Sequence, residues 1–206
     1  MSDPISIGGA FRRNVFSLSF NPSVALPPGA LLFLALGTDA PDTAVITVTD
    51  SVDNLYSQIV NSQQPGSSVS LFVFIAPKVL GLSTSQTITI TSNIRSDFAL
   101  SGYYFPSGDG SVSGADVEWF STTAPHYAVQ AQSGMQLFAL LGVAGPSNDT
   151  FTQDAAWGPD VPSGVPTTTF TVRACGRMAS NGAGQYTWNP TLQSARQSVG
   201  FVCAFR

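Results

Sequence analysis

The stretch Gln86–Ser92, QTITITS, alternates strictly: Ile88 and Ile90 fall on one side of an extended chain, and Thr87, Thr89 and Thr91 on the other. Period two is the signature of a half-buried antiparallel strand, apolar inward and threonine outward. The same reading holds at 44–50 (AVITVTD), with Ala44, Ile46 and Val48 opposite Thr47 and Thr49. It holds again at 167–175 (TTTFTVRAC), with Phe170, Val172 and Ala174 opposite Thr169, Thr171 and Arg173. Three further runs, ALLFLAL (30–36), SLFVFIA (70–76) and MQLFALL (135–141), are apolar on both faces. They read as central strands, or as strands whose second face is covered by a loop or a partner.

Turn chemistry separates these runs: PPG at 27–29, DSVDN at 50–54, QQPGSS at 63–68, SGDGSVSG at 107–114, GPSND at 145–149 and SNGAG at 180–184. Each puts Gly, Pro, Asn or Asp where a reversal needs an unusual or preset φ. Many short strands with regular turns predict an all-β fold, an antiparallel β-sandwich of jelly-roll type. Residues 15–206 read as one sandwich domain, and residues 1–14 as an N-terminal arm carrying Gly8, Gly9, Phe11, Arg12 and Arg13. Removing residues 1–13 should then weaken assembly and leave the sandwich folded. The segment 143–166, which carries Trp157, reads as an ordered excursion over the sandwich.

Composition agrees with strands. The 206 residues are 43% hydrophobic and only 10% charged, with one Lys (Lys78), one Glu (Glu118) and one His (His126). Helix surfaces draw on Lys, Glu, Gln and Ala, and here Ser, Thr and Asn stand in their place. A net charge of −4 lacks the basic footprint of sequence-independent nucleic-acid binding. No run reaches the roughly 18 apolar residues of a membrane helix. The opening MSDPISIGGAFRRN has neither the basic start nor the apolar run of a secretory signal, so synthesis in a cytoplasm is expected.

No catalytic constellation stands out, and the chain reads as non-enzymatic, without cofactor or metal. His126 in TTAPHYAV has no nucleophile elbow to serve and reads as a satisfied or solvent-facing loop residue. Asp116 and Glu118 share a strand face, as two hydrolytic carboxylates would, but stand beside a Gly/Ser loop and read as a solvated strand end. Asp109, Ser111, Ser113 and Asp116 offer oxygens in a glycine-bearing loop. A calcium loop would have a bidentate Glu at its twelfth position, where this loop has Phe120. Strand parity turns Cys203 inward with Val199, Phe201 and Phe205, and Cys175 to the opposite face, which argues against a disulfide. The residues singled out as interface anchors are Phe11, Arg12, Arg13, Phe72, Phe74, Tyr103, Tyr104 and Phe105, because aromatics and arginine dominate contact energy at interfaces.

Residues 28–105 resemble a recurring β-sandwich module of phage virion proteins and bacterial surface proteins. The matching segments run in order: PGALLFLALG, VITVTDSVDNLY, SLFVFIAPKVLG and TITITSNIRSDFALSGYYF, the last ending in a Ser-Gly-aromatic turn. GMQLFALLGVAG, FTQDAAWG and SVGFVCAF continue the pattern more weakly. The resemblance makes the turn around Asp50, Asp53 and Asn54 a structural hairpin and carries no catalytic residues. Val52-Asp53-Asn54 stands where the module shows Gly before Asn. The implied function is a virion structural protein, a capsid decoration (cement) or head-associated protein that binds capsid or tail subunits and itself. The implied assembly is a closed homo-oligomer such as a trimer. The alternative is a carbohydrate- or cell-surface-binding module of a phage tail or an adhesin. A low-charge, threonine-faced surface suits the shell component, because it costs little to desolvate against a partner.

Overall fold

The computed structural model describes residues 4–41, 43–62, 68–145, 151–159, 161–162, 170–179 and 182–206. The expected turns at 63–67, 146–149 and 180–181, arm residues 1–3, strand residues 167–169 and parts of the 143–166 excursion lie outside the described residues. Among the described residues there is no helix. The strands are β1 (Ile5–Phe20), β2 (Leu31–Thr38), β3 (Ile46–Asp50), β4 (Ser57–Ser62), β5 (Ser70–Ala76), β6 (Ile88–Phe105), β7 (Val112–Thr122) and β8 (Tyr127–Ala131). They continue as β9 (Gln136–Ala144), β10 (Phe151–Thr152), β11 (Val161–Pro162), β12 (Phe170–Met178), β13 (Gly184–Trp188), β14 (Thr191–Leu192) and β15 (Arg196–Phe205).

Two antiparallel sheets make the sandwich. The first has the order β1-β6-β2-β5-β4, with β3 also on β6, and the second has the order β11-β12-β9-β15-β7. All described strands of the first sheet come from residues before 106 and all of the second from residues after 111. The all-β sandwich is as expected. Each sheet is built from its own half of the chain, however, rather than by the interleaving of a jelly roll.

The runs that are apolar on both faces are explained by a stack of three cores. The central one lies between the sheets, where Leu31, Phe33 and Ala35 of β2 and Leu71, Val73 and Ile75 of β5 meet Phe138 and Leu140 of β9 and Phe201, Cys203 and Phe205 of β15. Rings crowd its middle: Phe33 lies 4.7 Å from Phe138 and 5.4 Å from Phe205, centroid to centroid. Leu32, Leu34, Leu36, Phe72 and Phe74 face the other way and form a second core with Leu18, Phe20, Ile46, Ile88 and Ile90. Leu137, Ala139, Leu141, Cys175 and Val202 form the third, under Tyr127, Val129, Tyr186 and Trp188 of the separate β8–β13 ribbon and under Trp157. The chain therefore covers both outer sheet faces with its own strands, and each phenylalanine so buried contributes about 2 kcal/mol.

The covering of the second core depends on a bend. β1 and β6 pair from Ile5–Tyr104 to Phe20–Ile88, with register shifts between Arg12 and Val15 and between Val15 and Ser17. Asn14 sits at the bend with φ 50°, a conformation Asn tolerates better than most side chains. Beyond it, the far halves of β1 and β6 join β3 in a three-stranded extension whose apolar side closes the core.

This arrangement corrects the arm. Residues 5–12 are the first half of β1, hydrogen-bonded to β6. Ile7 is fully buried, and its carbonyl accepts the Ser23 N–H at 2.8 Å. Pro4 is buried against Gly176 of β12. Loss of residues 1–13 would therefore strip the first half of the edge strand β1 from the first sheet and take Ile7 out of the second core. The 50–54 turn is corrected too. β3 pairs with β6 and β4 with β5, so the turn carries the chain from one partner strand to another and is not a hairpin.

Candidate functional site

The eight expected interface residues divide by depth. Phe72 and Phe74 are 0% and 3% exposed in the second core, and Tyr104 lies beside them at 9%. Tyr103 and Phe105 belong to the central core at 0% and 1%. These five serve the chain's own packing. Phe11 is half-buried, whereas Arg12 and Arg13 are exposed. The Arg13 guanidinium lies 5.8 Å from the Phe11 ring centroid, so this trio stands together on β1.

Two surface features were not singled out from the sequence. The first is built on Asp50. Its Oδ1 accepts the N–H groups of Val52 (2.9 Å) and Asn54 (3.2 Å), and its Oδ2 accepts Asn54 Nδ2 (2.7 Å) and the Tyr56 hydroxyl (2.6 Å). Burial on its own would raise the Asp50 pKa, but the hydrogen bonds from Tyr56, Asn54 and Val52 outweigh it and hold the carboxyl below its ordinary value. Burial, with the Asp50 bond and charge behind it, pushes the Tyr56 hydroxyl far up, so it remains a donor. Asn54 Oδ1 then accepts the Leu80 N–H at 2.6 Å and ties the two loops together. Leu55 and Leu80 are held on this frame 86% and 67% exposed, the two most exposed of the large apolar side chains described.

The second feature is the bend of β1 against β6. Asn14 N–H donates to Asp97 Oδ1 at 3.0 Å, and Arg95 Nη1 donates to the Asn14 carbonyl at 3.3 Å. Arg13 lies 4.0 Å from the same Asp97 carboxylate. The Arg95 guanidinium sits 4.8 Å from the centroid of Phe16, which the register shift turns out to 47% exposure. A run such as TSNIRSDF gives no hint of this stack, because Phe16 reaches Arg95 only through the bulge.

The remaining candidates do not converge. His126 is exposed, its ring 5.1 Å from Phe120. Asp116 Oδ2 accepts the Ala128 N–H at 3.1 Å, Asp109 Oδ1 accepts the Ser111 N–H at 2.8 Å, and the Ser113 hydroxyl donates to the Ala204 carbonyl at 3.4 Å. One oxygen each of Asp109, Ser113 and Asp116 is thus engaged in the protein's own hydrogen bonds, and among the described residues no group of three His, Cys, Asp or Glu could hold a metal. Glu118 is exposed on β7. Cys175 and Cys203 lie in different cores, as parity predicts, and no disulfide joins them.

No family model, curated protein or solved structure matches the chain. The resemblance to virion and surface modules rests on the sequence segments alone.

Proposed function

We propose that this chain is a non-enzymatic structural protein of a phage virion, a capsid decoration or other head-associated protein that binds the shell and its own copies. The observation that carries the reading is the pair Leu55 and Leu80, held in the open by the Asp50–Asn54 network. Both lie in segments that carry the resemblance, VITVTDSVDNLY and SLFVFIAPKVLG. Exposed apolar side chains on a rigid frame suit docking, because the frame has already met the ordering cost of the contact.

The mechanism is adhesion. Burying a leucine in a partner pocket contributes about 2 kcal/mol, too little for a lone contact to hold. Repeated across a symmetric lattice, with Phe11, Arg12 and Arg13 as a second contact between neighbouring copies, the same contacts add through avidity. A protein that binds only the assembled shell stabilises it by mass action.

The test is co-sedimentation of the purified protein with shells of the particle whose genome encodes it, beside mass photometry of the protein alone. Pelleting with shells, and a discrete oligomer in solution, are the expected results. A monomer that stays in the supernatant would overturn the reading.

A further inference from the structure

The far half of the β1–β6–β3 extension buries one face and leaves the other open. On the open face, Thr87, just before β6, and Thr89, Thr91, Asn93 and Arg95 of β6 form one row, alternating with the inward Ile88, Ile90 and Ile94. Register adds a flank on each side: Ser17 and Thr47 lie opposite Thr91, and Ser19 and Thr49 lie opposite Thr89. The row spans about 26 Å at the usual strand rise of about 3.3 Å per residue. Its only charge is Arg95, at the end where Phe16 is exposed.

Arg95 is fixed from two sides, by the Phe16 ring at 4.8 Å and by the Asn14 carbonyl at 3.3 Å. Among the described residues it has no carboxylate partner. A guanidinium held in this way keeps its remaining N–H fork for a planar anion, and little freedom is lost when that anion binds. The charge around it supports the same ligand. The chain has eight basic residues against twelve acidic ones, yet Arg12, Arg13 and Arg95 gather at this bend against two carboxylates, Asp97, tied to the Asn14 N–H and to Arg13, and Asp39, whose Oδ1 accepts the Asp97 N–H.

We propose that this face binds an acidic polysaccharide, a chain of sugars bearing carboxylates. Arg95 takes a carboxylate, the open part of the Phe16 ring takes the C–H face of a sugar, and the Thr, Ser and Asn side chains exchange hydrogen bonds with sugar hydroxyls. An acidic polypeptide would match the arginines, but its apolar side chains would find only Val45, beside Asn93, and Phe16 at the Arg95 end of a row otherwise lined by hydroxyls, whereas protein interfaces have apolar, aromatic centres. Arg95 and Phe16 stand at the opposite end of the row from Thr87, which pairs with Ser51 of the turn bearing Leu55, and neither belongs to the Phe11, Arg12 and Arg13 contact, so substitutions at Arg95 and Phe16 test glycan binding apart from shell binding.

The experiment is titration calorimetry of the full chain with alginate oligomers, neutral dextran and poly-glutamate. Alginate is expected to bind, with affinity falling as salt rises, and dextran and poly-glutamate to bind far more weakly. Arg95→Gln and Phe16→Ala are each expected to weaken alginate binding about tenfold or more, and Arg95→Lys not to restore it. Thr91→Trp obstructs the row away from the stack and should have the same effect should Phe16→Ala fail to fold. Shell co-sedimentation of Arg95→Gln should be unchanged. Absence of alginate binding, equal binding of poly-glutamate, or alginate binding indifferent to Arg95→Gln and Thr91→Trp would each overturn the proposal.

Discussion

Asn54 Oδ1 accepts the backbone N–H of Leu80 at 2.6 Å, so two loops separated in sequence by β4 and β5 are fastened through one side chain. Asn54 is itself held by Asp50, through its backbone and its side chain. Asn54→Ala keeps the backbone bond to Asp50, removes the side-chain one and leaves Leu80 N–H without its acceptor. The expected cost is about 1–3 kcal/mol in urea unfolding, together with faster amide exchange at Leu80. Unchanged exchange at Leu80 would show that the loops are fastened by other means.

The same network has a pH signature. Asp50 ionises below its ordinary value of 3.8 in the fold, held there by its hydrogen bonds against the opposing effect of burial. Its contribution is therefore complete above the unfolded value and is lost as pH falls through that value and then through the folded one, where the unfolded chain binds more protons. Thermal melts from about pH 6 to about pH 2.5 should fall more steeply for the wild type than for Asp50→Asn. Parallel curves would remove Asp50 as the source.

Tyr127 lies over Gly200, and a Cβ at that position would overlap its ring. Tyr127 is 1% exposed beneath the β8–β13 ribbon and has nowhere to move without opening the third core. Gly200→Ala should lower stability by about 1–3 kcal/mol. Gly184→Ala, where a Cβ meets nothing within 4 Å, should change it by less than about 0.5 kcal/mol. Equal melting of the two variants would contradict this packing.

Gly9 is the matching constraint at the first sheet. A Cβ there would overlap the carbonyl oxygen of Leu100, which is backbone and cannot swing aside. Gly9→Ala should detach the near half of β1 from β6 and speed amide exchange across residues 7–12. Fast exchange across these residues in the wild type as well as the variant would restore the arm as the better description.

Both thiols should be silent in the folded protein. Cys175 and Cys203 are fully buried, and burial raises the Cys203 pKa well above its usual range. A colorimetric thiol reagent should react with neither until the chain is unfolded, and then with both.

Strand parity carried most of the fold. The alternation of Ile88 and Ile90 with Thr87, Thr89 and Thr91, the two-faced runs, and the opposite faces of Cys175 and Cys203 all follow from period two. Where parity stopped, so did the reading. The faces of Phe72 and Phe74 follow from it, but nothing in SLFVFIA says whether a partner or the chain itself covers them. The answer lies in the bend at Asn14, whose left-handed φ and two register shifts bring Leu18, Ile46, Ile88 and Ile90 over those rings. The same bulge exposes Phe16 and brings it under Arg95. Gly8 and Gly9 looked like a flexible entry, yet Gly8 supplies φ 83° at a register shift and Gly9 a close approach of strands. Leu55 and Leu80 carry no mark in the sequence, because exposure of a single leucine in a turn is a property of the loop hydrogen bonds, not of the local sequence.

Leu55 and Leu80 are also where the proposed function is most open to refutation. The decisive measurement is co-sedimentation with shells of the Leu55→Ser/Leu80→Ser double variant beside the wild type, with melting curves of both. Wild-type protein that pellets with shells, and a variant that melts alike yet remains in the supernatant, is the predicted result. A variant that pellets as well as the wild type, or a wild type that does not pellet, would contradict it.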